Sequence, residues 1–152
     1  MTQLRWPLSV QITIPDDFTS NVTTRNELDQ LNKLGFFGVE VNFRAPSTIP
    51  YEELERFVRS FGLELTSFAS GLTAKTFGLS LSHPDEETRE KSTTKLLECI
   101  DFVSSGTGRT NSKVAEGGTG RSGKAGIIVG FFKGQAGYPE EEAKRQFIRS
   151  LD

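Results

Sequence analysis

A chain of 152 residues with 35% hydrophobic and 25% charged side chains is long enough to bury one core and too polar for a membrane protein. Its net charge is −2, with basic and acidic residues interspersed, so no nucleic-acid partner is expected. No run approaches the roughly 20 apolar residues of a spanning helix, and residues 1–7 lack a secretory apolar region, which makes a cytoplasmic location and no membrane partner the expectation.

Leu8, Val10, Ile12 and Ile14 alternate with Ser9, Gln11 and Thr13, a period of two that predicts a strand ended by Pro15-Asp16-Asp17. Thr24 and Glu27 have capping-box spacing, and Leu28, Leu31 and Leu34 recur at helical spacing until Gly35. A second strand follows, with Val39, Val41 and Phe43 on one face and Glu40 and Asn42 on the other. Pro46 and Pro50 punctuate a loop. Leu54, Phe57, Val58 and Phe61 then form the stripe of a second helix, stopped by Gly62.

Residues 63–69 read as a third strand and residues 70–78 as a loop. Pro84 with Asp85, Glu86 and Glu87 marks a helix start, since acidic groups suit the positive end of the helix dipole. Leu96, Leu97, Ile100 and Val103 are its expected buried face. Residues 104–126 hold seven glycines among Ser, Thr, Lys and Arg, which predicts a flexible Gly-rich loop inserted before strand four. Ile127, Ile128 and Val129 with Phe131 and Phe132 read as that strand, and Pro139 opens a last helix carrying Ala143, Phe147 and Leu151 on one face.

Alternating strands and helices argue for a single α/β domain with parallel pairing. Four such β/α units suit either an open doubly wound sheet or half of an eight-fold barrel, since a closed (β/α)8 barrel takes ~250 residues. In a barrel the polar faces of the strands look inward, where active sites form at the carboxyl ends. Glu40 and Asn42 are therefore the leading ligand contacts, against a structural ion-pair role for Glu40. Gln11 and Thr13 follow on the same argument. Ser70 and Lys133 stand at the ends of strands three and four, and Lys133 offers a point charge for a phosphate or carboxylate.

His83, the single histidine, fits a cap or surface contact better than a general base. Cys99, the single cysteine, falls in helical apolar spacing and reads as a buried small hydrophobe rather than a nucleophile. Residues 118–124 match G-x-x-x-x-G-K, but Ala125 stands where Ser or Thr is needed and a strand follows where a helix should, so no nucleotide site is expected.

Several motifs in order carry a family resemblance. Leu34-Gly35-Phe36-Phe37-Gly38-Val39-Glu40-Val41 comes first, then Phe61-Gly62-Leu63-Glu64-Leu65-Thr66 leading to Ser70-Gly71. Leu79-Ser80-Leu81-Ser82-His83-Pro84-Asp85 with Arg89, and Gly126-Ile127-Ile128-Val129-Gly130 with Gly134, complete the set. Together they resemble the N-terminal half of the xylose-isomerase-like TIM barrel family, which includes sugar phosphate isomerases and epimerases and the endonuclease IV branch. The resemblance implies half of a TIM barrel with helices outside, and a small sugar or sugar phosphate as ligand.

Members of that family hold a divalent metal such as Mn, Mg, Co or Zn with Glu, Asp, His and Glu from the later strands. Those strands have no counterpart here, so no metal ligand and no cofactor are carried over. A truncated sugar isomerase or epimerase, inactive alone, is the expectation. The alternatives are a non-catalytic half-barrel module and a homodimer that completes a barrel through its open edges.

Overall fold

A computed structural model describes residues 7–106, 125–134 and 137–152 of the chain. Four strands, β1 (Ser9–Thr13), β2 (Gly38–Asn42), β3 (Glu64–Ala69) and β4 (Gly126–Ile128), form one sheet in the sequential order β1-β2-β3-β4. All three strand pairs are parallel. Between and after them run α1 (Val22–Lys33), α2 (Tyr51–Ser60), α3 (Gly71–Phe77), α4 (Glu86–Gly106) and α5 (Glu140–Arg149). This is an α/β fold compatible with half of a β/α barrel.

The alternating strands bury the face their pattern marks. Ile12, Val39, Val41, Phe43 and Phe68 pack in one cluster with Leu28 of α1, Leu54, Phe57 and Val58 of α2, and Cys99 and Val103 of α4. Three helices therefore cover one face of the sheet. The burial of these side chains is the main stabilising term, each worth about 1.5–3 kcal/mol over an exposed position. Edge-to-face contacts between Phe43 and Phe68, and between Phe68 and Phe102, tie α4 to the strands.

Two glycines act as the sequence suggests. Gly35 and Gly62 follow α1 and α2 with φ of 83° and 75°, the left-handed conformation that ends a helix without steric cost. The cap at the start of α1 is a different residue from the expected Thr24. Asn21 Oδ1 accepts the Thr24 N–H at 3.1 Å, so the short amide three residues earlier satisfies the free helix donor.

Residues 70–78, expected as a loop, hold α3 instead. Seven residues make a marginal helix alone, and side chains from β2 and α3 itself secure it. Asn42 Oδ1 accepts the Leu72 N–H at 3.0 Å, and Thr73 Oγ1 donates to the Phe43 carbonyl at 2.9 Å. The face of α4 is also rotated from expectation. Leu96, Cys99 and Val103 are buried with Ser92 and Arg89, whereas Leu97 and Ile100 are 54% and 39% exposed. Arg89 is accommodated because its Nη1 donates to the carbonyls of His83 and Pro84 at 2.9 Å each.

β4 is shorter than its apolar run. Phe131–Lys133 turns into a 3-10 helix, which sends Phe132 into a second cluster with Ala74, Leu81 and Leu96. Of the segment expected as a 104–126 loop, residues up to Gly106 belong to α4 and Gly126 begins β4. Residues 107–124 lie outside the described residues, and with them the 118–124 look-alike motif.

β3 departs once from regular pairing. Val39 stands opposite Leu65, but Glu40 stands opposite Ser67, so Thr66 has no partner and forms a bulge. Thr66 Oγ1 donates to the Val39 carbonyl at 3.0 Å and holds the two strands together there. The extra residue shifts the phase of the strand. Leu65 and Phe68 both reach the core face although they are three apart, and Ser67 joins Glu40 on the other.

Candidate functional site

The face opposite the helices carries two rows of side chains across the sheet. Gln11, Glu40 and Ser67 are neighbours in one row, and Thr13, Asn42, Ala69 and Ile128 in the next. Both rows lie toward the carboxyl ends of the parallel strands, from which α3 and the Phe131–Lys133 turn depart. A cleft of about 420 Å³ opens over them, lined by Gln11, Glu40, Asn42, Leu72, Lys75 and Phe131 among others.

Each polar group there has a definable state. Glu40 is half-buried, and its Oε2 accepts the Ser67 hydroxyl at 3.0 Å. That bond fixes the rotamer of the carboxylate. Asn42 spends its carbonyl on capping α3, which points its amide nitrogen toward Gly71. Gln11 on β1 and Lys75 on α3 are exposed, and Phe131, 51% exposed, supplies an apolar wall. A few convergent polar groups beside an aromatic side chain make the usual pattern of a small-molecule site.

Of the six residues singled out for ligand contact, the structure brings Gln11, Glu40 and Asn42 together in this cleft, whereas Thr13 is exposed on β1 outside its lining. Ser70 is fully buried, its hydroxyl donating to the Ile128 carbonyl at 2.7 Å, and it joins β3 to β4 rather than lining the cleft. Lys133 is exposed at the end of the 3-10 turn and is not part of the lining. The lysine that is present, Lys75, belongs to α3. It was missed because residues 70–78 carry no helical apolar spacing.

His83 stands away from the cleft. Its Nδ1 accepts the Asp85 N–H at 3.1 Å and its ring packs edge-on against Tyr138, while Asp85 in turn receives the Thr88 N–H at 2.9 Å. The cap of α4 is thus Asp85, and His83 makes a local contact with it and with Tyr138. Those bonds from Thr88 hold the Asp85 carboxyl below its ordinary range. Cys99 is fully buried, and desolvation pushes its thiol up to about 11, which leaves it protonated and inert at neutral pH.

A second depression of about 400 Å³ lies between α4 and the end of α5, bounded by Glu86, Arg89, Thr93, Arg149 and Asp152. Its buried member, Arg89, is already occupied by two carbonyls. Among the described residues no group of three or more His, Cys, Asp or Glu is placed to share a metal ion. Among the described residues, no helix is long and apolar enough to cross a membrane. The chain matches none of the family models and none of the curated proteins with which it was compared.

Proposed function

We propose that the chain is a sugar isomerase- or epimerase-like half-barrel whose cleft binds a small polyhydroxylated ligand, a sugar or sugar phosphate, without converting it alone. The observation that carries this reading is the adjacency of Gln11 and Glu40 on neighbouring parallel strands, with Lys75 lining the same cleft. In this reading the Glu40 oxygen not taken by Ser67 accepts a ligand hydroxyl, and the Gln11 amide binds a second. Lys75 neutralises an anionic end as a mobile point charge.

In this reading the isolated chain is inactive because Lys75 is engaged with the anionic end of the ligand and leaves Glu40 without a second acid–base group. Moving a proton between adjacent carbons needs an acid and a base on the substrate together. Among the described residues lining the cleft, Glu40 is the one carboxylate and no histidine joins it.

Thermal unfolding with a panel of sugars and sugar phosphates tests the reading. A ligand at 100-fold its Kd stabilises by about 2.7 kcal/mol, so a clear rise in Tm is expected for at least one compound. Glu40→Gln should lose most of that rise while retaining the fold. A flat panel, or an equal rise in Glu40→Gln, overturns it.

A further inference from the structure

Phe131 stands in the cleft because its neighbour is anchored elsewhere. In the Phe131–Lys133 turn, a 3-10 helix, successive side chains point about 120° apart. Phe132 is fully buried with Ala74, Leu81 and Leu96, and its carbonyl accepts the Leu81 N–H at 2.7 Å. Fixing Phe132 in this way sends Phe131 in a different direction, onto the cleft.

The Phe131 ring meets α3 along one edge. Its Cδ2 and Cε2 lie 3.2 and 3.9 Å from where a Cβ at Gly71 would stand, and the Asn42 amide nitrogen lies 3.9 Å from the same point. A larger residue at position 71 would press on the ring, so glycine is what lets the ring lie against the first turn of the helix. Phe18, Phe43, Phe57, Phe61, Phe68 and Phe102 each pack against another aromatic ring. Phe131 has no such partner among the described residues and is half exposed. Lys75 follows Gly71 by four positions on α3, so the cation and the aromatic edge belong to one face of that helix, one turn apart.

We infer that Phe131 makes the cleft selective for sugars in their closed pyranose form, the C–H side of the sugar ring stacking on the phenyl group while the rim hydroxyls reach Gln11 and Glu40. This rests on the sugar reading of the cleft and narrows it. The face of an aromatic ring is electron-rich, and C–H groups on carbons that bear oxygen are electron-poor, so the two attract. A pyranose gathers several such C–H groups on one side and carries its hydroxyls around the rim. An open chain presents no lasting apolar side and must give up its bond rotations on binding, which costs affinity. Proton transfer beside a sugar carbonyl needs the open chain, where that carbonyl is free. A cleft that keeps the ring closed therefore holds the sugar in its unreactive form.

Isothermal titration calorimetry of the whole chain is the test. The probes are the methyl pyranosides of glucose, galactose and mannose, which cannot open, each beside its alditol, which cannot close, together with glucose 6-phosphate beside glucitol 6-phosphate. At least one ring should bind more tightly than its open-chain counterpart by about fivefold, the scale of one aromatic contact. Phe131→Leu should erase that preference and Phe131→Tyr should keep it, both with the far-UV circular dichroism of the parent. Open chains that bind the parent as well as rings do, or a preference that persists in a folded Phe131→Leu variant, overturn the inference and leave the sugar reading standing. Binding of neither rings nor open chains overturns both.

Discussion

The Ser67 hydroxyl sits 3.0 Å from Glu40 Oε2, so a side chain of β3 sets the aim of the carboxylate of β2. The pair is half-buried, where a hydrogen bond to a charged group counts for more than one in open water. Ser67→Ala should lower stability by about 1 kcal/mol and release the carboxylate to other rotamers. Urea denaturation gives the first effect. The second appears as a smaller rise in Tm with whichever sugar stabilises the parent; an undiminished rise would show that Ser67 does not position Glu40.

Asn42 links the cleft to α3 through the Leu72 N–H. Asn42→Ala removes a helix cap and should cost about 1 kcal/mol. Amide hydrogen exchange should speed up across residues 71–77 and leave α2 unaffected. Asn42→Asp keeps the acceptor oxygen and should restore most of the protection.

Gly38 begins β2 directly against the start of β3. A Cβ built there would overlap the Glu64 carbonyl, held in the strand pairing, and the Thr66 methyl, held by the Thr66 Oγ1 bond to the Val39 carbonyl. Gly38→Ala should therefore cost about 2–3 kcal/mol, as overpacking of a fixed backbone does. Gly126→Ala in β4 is the matched control, because no atom lies within 4 Å of the added Cβ. Urea midpoints of the two variants should differ clearly, with the control close to the parent.

Burial raises the Cys99 thiol from 9.0 to about 11 in the folded chain. The unfolded chain therefore loses this proton first, and stability that is fully present below pH 9 declines as pH rises toward 11. The expected loss is about 2 kcal/mol. Urea midpoints between pH 8 and pH 10.5 should fall more steeply for the parent than for Cys99→Ala. At pH 8 a thiol reagent should label the native chain only at the rate at which it opens.

The edges and faces of β1 and β2 were legible because their side chains alternate without interruption, and the grouping of Gln11, Glu40 and Asn42 on the face opposite the helices follows from that alternation together with parallel register. Other features depend on contacts far apart in sequence. α3 owes its existence to Asn42 and Thr73, which bond across 30 positions, so no local pattern announces it and Lys75 went unseen. On α4 the apolar residues from Leu96 to Val103 are too many for one stripe. Periodicity cannot say which of them faces the sheet, and the buried Arg89 and Ser92 fix the rotation by bonding outside the helix, Arg89 to the His83 carbonyl and Ser92 as acceptor of the Ser80 N–H. Lys133 was placed at the end of a strand that in fact closes at Ile128, five residues earlier, because the chain turns at Gly130 into a 3-10 helix.

Thr66 has a consequence for how β3 tolerates changes in length. Without it, Leu65, Ser67 and Phe68 would alternate in simple two-residue rhythm, with the same side chains inside and outside as they have now. A gain or loss of one residue at this point therefore preserves the division between core and cleft, whereas the same change at Phe68 or Val41 would turn the strand inside out. The strand has a single joint at which its length is adjustable, and that joint sits one residue below the carboxylate that faces the cleft.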